Sequence, residues 1–270
     1  MPEQEFGGRV DELLDQLPVT EEKKGELRQE INQNLSEPVR IIGAGQAGVG
    51  KSTLLRSIFA VEEGDIPSDI TTDATRAETM QFQSFQIENE DGFKIEFTDG
   101  PGLGESLERD EELIPQWVEQ IDQHDVLYWV IDASSRDVAH IQKNIRHVLD
   151  ETGYSDRIVV VLNKIDQIEL EQEDREEGAE GWDEEYNVPT DELEEQIDRR
   201  TNDLVEKLET VGVPEDQIIA CSALKRWNHG EVLDKMVETL PEEKQIKVAA
   251  NRDVADIREL VDDDVLDELE

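Results

Sequence analysis

Cysteine is nearly absent from this 270-residue chain: Cys221 stands alone, so no intrachain disulfide can form. It ends the apolar run Gln217-Ile218-Ile219-Ala220 and reads as a small core residue rather than a nucleophile. Long hydrophobic runs are missing too. No stretch approaches the roughly 18 consecutive apolar residues of a membrane span. The opening Met-Pro-Glu-Gln-Glu has neither the basic region nor the apolar run of a secretory signal, so a cytoplasmic protein is expected. The four histidines, His124, His140, His147 and His229, show no metal-ligand spacing, and surface helix positions account for His140 and His147. Positive charge is also scarce. Lys and Arg number 26 against 69 Asp and Glu, with only 11 lysines, for a formal charge of −43. That balance opposes binding to nucleic-acid phosphates, and no GXXG module or basic aromatic surface relieves it.

Acidity this high often marks disorder or an acidic tail. Here the charge runs along the whole chain, including segments that keep apolar stripes, and hydrophobic residues still make up 36%. That fraction suffices for a core at this length. The pattern is the one expected of a folded protein adapted to high intracellular salt, as in haloarchaea. At molar KCl the Debye length falls to about 3 Å, which screens the self-repulsion.

What the chain does contain is a phosphate-binding loop. Gly45-Gln46-Ala47-Gly48-Val49-Gly50-Lys51-Ser52 fits the pattern G-x-x-x-x-G-K-[ST], after the strand-like run Val39–Ala44 and before a helix-like segment opening at Thr53. The glycines let backbone N–H groups curl around phosphates, and the helix N-terminus adds its positive end. Lys51 is placed to reach the β- and γ-phosphates, and the Ser52 hydroxyl to sit on Mg²⁺.

Asn163-Lys164-Ile165-Asp166 closes a second apolar run, Arg157–Leu162. An Asp carboxylate accepts two hydrogen bonds from guanine N1–H and its exocyclic amine, a donor pair that adenine lacks. A site built on Asp166 therefore discriminates strongly, and the Lys164 stem can pack on the base. Asp99-Gly100-Pro101-Gly102 follows the alternating run Phe93–Thr98. An Asp there holds Mg²⁺, usually through water, and the Gly102 N–H can meet a γ-phosphate. Cys221-Ser222-Ala223 ends a further strand, where the Ala223 N–H is expected to donate to guanine O6.

In this order, each at a strand end, the four elements resemble the translation-factor-like GTPases over roughly residues 38–240. Within them the chain looks most like the Era/septin-type branch, and most of all the YfjP/YeeP-type group of ribosome-associated-type GTPases. Ser68–Arg76, Asp99–Ser106, Asp125–Asp132 and the Trp182-Asp183…Pro189-Thr190 insert carry this narrower likeness. The resemblance implies GTP hydrolysis with Mg²⁺, in which Lys51 and a switch threonine act. That threonine is Thr75, or Thr72 if the alignment follows other Era-type proteins. It would join Ser52 and Asp99 as a metal ligand.

Two departures bear on rate. Leu103 stands where Ras-like proteins carry the glutamine that orients the attacking water, and leucine cannot hydrogen-bond water. Gly48 occupies the position where some relatives hold potassium with an asparagine, and Ala47 crowds the space an inserted arginine finger would need. Slow intrinsic hydrolysis is expected.

The organisation follows from these anchors. Residues 1–37 read as amphipathic helix, residues 38–240 as a doubly wound, mostly parallel α/β domain, and residues 241–270 as a terminal helical segment. A hairpin, Thr79–Ile87 with Phe93–Thr98, is predicted as the one antiparallel edge. Residues 167–190 form an acidic insert expected to be nearly structureless. Three roles fit: a regulatory switch with an unknown effector or activator, a scaffold that dimerises across its switches, and a ribosome or RNA assembly factor.

Overall fold

In the computed structural model the described residues are 20, 23–25, 37–58, 82–88, 94–104, 106–135 and 138–250. The switch segment with Thr72 and Thr75, most of the N-terminal segment and residues 251–270 lie outside them.

Strand β1 (Val39–Ala44) leads through the glycine-rich loop into helix α1 (Lys51–Ile58). Strands β2 (Gln83–Glu88) and β3 (Lys94–Asp99) form the hairpin, followed by α2 (Leu107–Ile121), β4 (Val126–Asp132) and α3 (Val138–Thr152). Next come β5 (Ile158–Asn163), a short α4 (Gln172–Glu177), and the pair β6 (Trp182–Asp183) and β7 (Val188–Pro189). Helix α5 (Asp191–Glu209), β8 (Ile218–Ala220), α6 (His229–Glu238) and α7 (Glu242–Ala250) complete the described part.

The main sheet runs β2-β3-β1-β4-β5-β8. Only β2 with β3 is antiparallel, so the fold is the expected α/β arrangement with one antiparallel edge. Strand β4 shows why helices must cover both faces. Leu127, Trp129 and Ile131 enter one core cluster with residues of α2, α3 and α5, while Val126, Tyr128 and Val130 enter a second with α1 and α6. A strand apolar on both sides is stable only when both sides are buried. Burying each such side chain contributes roughly 1.5–3 kcal/mol.

Caps set the helix starts. Ser106 accepts from the Arg109 N–H at 3.3 Å before α2, and Thr190 accepts from the Leu193 N–H at 3.5 Å before α5. Asp191, Glu192 and Glu194 then place negative charge in the first turn of α5, where the helix dipole favours it.

The acidic insert departs from expectation: it holds α4 and the β6–β7 pair. Trp182 is its anchor, 7% exposed and edge-on to Trp227 with centroids 6.4 Å apart. The abundant Glu residues hid this, because a two-residue strand pair has no periodicity to detect. The start of the terminal segment also packs on the domain. Lys244 donates to the Pro38 carbonyl at 2.9 Å, and Val248 lies against the second core cluster. Among the described residues, no helix is long and apolar enough to cross a membrane.

Candidate functional site

Four loops meet at the C-terminal edge of the parallel strands, where open α/β sheets bind ligands. The first is the glycine-rich loop. Gly45, Gly48 and Gly50 have φ of 134°, 75° and 98°, and Ala47 and Gly48 form its exposed tip. Gly50 has a second reason to lack a side chain, because a Cβ there would meet the Asn163 Nδ2 at 2.4 Å. Lys51 is 8% exposed, and its Nζ lies 3.4 Å from the Gly45 carbonyl and 3.3 Å from that of Gln46. Ser52 and Thr53 stand in the first turn of α1.

Strand β3 delivers Asp99 beside them. The Ser52 hydroxyl donates to Asp99 Oδ2 at 3.3 Å, and Lys51 Nζ lies 3.9 Å from Oδ1. Asp99 Oδ1 is buried without a hydrogen-bond partner among the described residues. Burial raises the carboxyl above its ordinary value, against the lowering pull of Lys51 and Ser52. A hydroxyl and a buried carboxylate with a free oxygen are hard ligands that fit Mg²⁺.

The turn after Asp99 is seated on α2. Trp117 donates from Nε1 to the Pro101 carbonyl at 3.2 Å and meets Phe82 edge-on at 4.9 Å. Gly102 is buried within this turn. Leu103 is 1% exposed in the first core cluster, while its N–H donates to the Gly45 carbonyl at 3.2 Å. The position read as a missing catalytic glutamine is thus a core anchor of the turn.

The elements expected to recognise a base also converge. Asn163 donates from Nδ2 to the Val49 carbonyl at 2.8 Å and accepts the Ala223 N–H on Oδ1 at 2.9 Å. That amide was expected to serve guanine O6; here Asn163 holds it. The Ser222 hydroxyl donates to Asp166 Oδ1 at 2.5 Å and accepts the Lys225 N–H at 3.0 Å, which orients the carboxylate. Lys164, in a left-handed conformation with φ 64°, pairs with Asp132 Oδ2 at 2.7 Å. Burial works to raise the Asp132 carboxyl, but hydrogen bonds from Lys164 and Ser134 outweigh it and bring it below its ordinary value. The insert buttresses this loop: Asn187 donates to the Lys225 carbonyl at 2.9 Å, and Lys225 pairs with Glu184 at 2.7 Å.

Sequence reasoning passed over the histidines. His147 is exposed as expected, yet His140 Nε2 lies 2.8 Å from Asp110 Oδ2 with its side chain 11% exposed. His124 and His229 are buried. His229 lies 3.4 Å from Ser57 Oγ of α1, which ties the phosphate-loop helix to the helix after the base loop. Cys221 is fully buried, and burial raises its thiol well above the ordinary value, so it is the inert core residue expected.

Residues 40–164 match the family described as 50S ribosome-binding GTPase. The matched stretch runs from β1 to the end of β5 and takes in the glycine-rich loop, Asp99, Asn163 and Lys164. The chain is similar to YfjP of Escherichia coli (strain K12), 29% identical over 223 residues that cover 82% of this chain and 69% of YfjP. YkfA of the same strain is 32% identical over 144 residues, 53% of this chain and 47% of YkfA. Among solved structures, the bacterial dynamin GTPase LeoA from ETEC superposes with a TM-score of 0.57 at 16% identity, over 96% of this chain and 46% of LeoA. At that identity the likeness is one of fold alone.

Proposed function

We propose that this chain binds GTP with Mg²⁺ and hydrolyses it slowly to GDP and phosphate, acting as a regulatory switch of the Era/septin type. The observation that carries the reading is the meeting of Lys51, Ser52 and Asp99 with Asn163 and Asp166 at one sheet edge. Phosphate chemistry and base recognition share that edge because Asn163 bonds the phosphate loop directly.

In this reading Ser52 and Asp99 hold Mg²⁺, Thr75 of the switch segment completes the set, and the ion offsets charge on the phosphate oxygens. Lys51 reaches the β- and γ-phosphates from the loop mouth, and the loop amides of Gln46 to Thr53 cradle them. The Gly102 N–H meets the γ-phosphate, so the turn reports which nucleotide is bound. Asp166, fixed by Ser222, accepts from guanine, while Lys164, fixed by Asp132, lays its stem on the base. The burial of Leu103 supports slow turnover, because no water-orienting side chain comes from that position.

A second reading, a nucleotide-dependent dimerising scaffold, draws on the exposure of Tyr186, Val188 and Leu224 around the base loop. A ribosome-linked role draws on the family description and is opposed by the charge of −43. Cytoplasmic location and adaptation to molar salt belong to the same proposal. Single-turnover assays with labelled GTP test the enzymatic part. The expected rate is on the order of 10⁻³ s⁻¹ or slower, dependent on Mg²⁺ and lost in Lys51→Ala. Fast turnover by the isolated chain, indifferent to K⁺ or Na⁺, would overturn the slow-switch reading.

A further inference from the structure

Outside the phosphate and base loops, one buried carboxylate on α2 accepts hydrogen bonds from the Gly104 turn and from α3. Asp110 of α2 is 2% exposed. Its two oxygens accept the Gly104 N–H, each at 3.0 Å. Asn144 of α3 donates to Oδ2 at 2.5 Å, and His140 Nε2 of α3 lies 2.8 Å from the same oxygen. The Gly104 carbonyl, across the Cα of the same residue, accepts from the Gln46 side chain of the phosphate loop at 2.6 Å. One residue earlier, the Leu103 N–H reaches the Gly45 carbonyl.

We infer that Asp110 is the positioning residue of the Gly102–Gly104 turn, holding it docked on the phosphate loop and pre-set for a γ-phosphate. The inference rests on the GTP-binding reading above. A carboxylate oxygen accepts hydrogen bonds, and here the Gly104 N–H and the Asn144 side-chain amide both donate to Asp110. Replacing it with an amide leaves one acceptor oxygen and adds a donor that faces other donors, which is costly in a buried site. Asp110 touches neither the phosphate loop nor the base loop. It acts through Gly104, with Asn144 anchoring it to a helix packed on the domain core.

The role separates GTP from GDP. Phosphate-loop contacts serve both nucleotides, whereas the turn meets only the γ-phosphate. Loosening the turn therefore lowers GTP affinity and spares GDP. A residue that merely stabilised the fold would change both alike.

Three variants of the full chain, at molar KCl, test this: Asp110→Asn, Gln46→Ala, and the double exchange Asp110→Asn with Asn144→Asp. In the double variant the amide can accept from Gly104 and donate to the new carboxylate, restoring the pattern of donors and acceptors. Exchange of the Gly104 amide proton, followed by NMR without nucleotide, is expected to quicken about tenfold or more in Asp110→Asn and in Gln46→Ala. It should return to within about threefold of the parent in the double exchange. The GTP-to-GDP affinity ratio should fall about tenfold in Asp110→Asn, with GDP affinity unchanged within about twofold. Unaltered Gly104 exchange in folded Asp110→Asn would overturn the inference, as would an equal loss of GTP and GDP affinity. Should Asp110→Asn fail to fold, unaltered Gly104 exchange in Gln46→Ala, or in a folded double exchange no protection of Gly104, overturns it instead. Failure of the parent chain to bind either nucleotide would defeat the GTP reading itself, while Gly104 exchange would still report on the docking.

Discussion

Asn163 and Val49 are 114 residues apart, and the 2.8 Å bond from the Asn163 amide to the Val49 carbonyl joins the end of β5 to the glycine-rich loop. The other end of the same amide holds the Ala223 N–H. One side chain thus sets the spacing between the two halves of the site. Asn163→Ala leaves two buried backbone groups without partners, at about 1–3 kcal/mol each. The expected result is a fold weakened by about 2–5 kcal/mol in chemical denaturation, and GDP binding weakened at least tenfold. Unchanged GDP affinity would separate the two halves.

Tyr128 lies across Gly43, where a Cβ would sit 2.1 Å from the phenol oxygen. Its hydroxyl is buried with no hydrogen-bond partner among the described residues, and burial, with the nearby Asp99 charge, raises its pKa well above the ordinary value. An unmet buried hydroxyl costs about 1–3 kcal/mol, and phenylalanine keeps the ring. Tyr128→Phe should therefore raise the denaturation midpoint, by an amount worth about 1 kcal/mol. A lower midpoint would mean the hydroxyl has a partner.

Acid should weaken the fold through two histidines. Burial pushes His229 down to about 4 and lowers His124, whose Nε2 lies 2.7 Å from Thr98 Oγ1 and Nδ1 2.6 Å from the Gln120 carbonyl. In the unfolded chain both titrate near 6.5. Above that value both states are neutral and the stability is complete. Below it the unfolded chain takes up protons first, so stability falls as the pH drops from about 6.5 toward 4, by up to about 3 kcal/mol for His229. Urea denaturation at molar KCl between pH 7 and pH 5 should show the slope, and His229→Gln should flatten it. An equal slope in the variant would assign the effect elsewhere.

Salt should act in the opposite sense. With a formal charge of −43, compaction brings like charges together, and salt screens them. The thermal midpoint is expected to climb steeply as KCl rises toward the molar range. Full stability in dilute buffer would contradict the salt-adaptation reading.

The strand-end motifs were legible because each is a local spacing: Lys51 and Ser52 follow Gly50, and Asp166 follows Asn163 by three. The buried strands were legible from their apolar runs. What escaped was contact between distant residues. Asp110 and Asn144 are 34 apart, Gln46 and Gly104 are 58 apart, and no pattern in either segment announces the pairing. His140 reads as a surface helix residue together with His147, a heptad away; only the fold brings it beside Asp110. Leu103 reads only as standing where Ras-like proteins carry a water-orienting glutamine, and its side chain lies in the core. The insert was masked by its charge, since its buried apolar residues, Leu170 and Trp182, stand far apart among carboxylates.

Equilibrium binding of GDP against ADP, to the parent chain and to Asp166→Ala at molar KCl, tests the central claim most directly. GDP should bind at least 10³-fold more tightly than ADP to the parent. In Asp166→Ala the preference should collapse to within about tenfold while circular dichroism stays unchanged. Comparable affinity of the parent for both nucleotides, or undiminished GDP preference in a folded Asp166→Ala, would contradict a guanine site at this edge of the sheet.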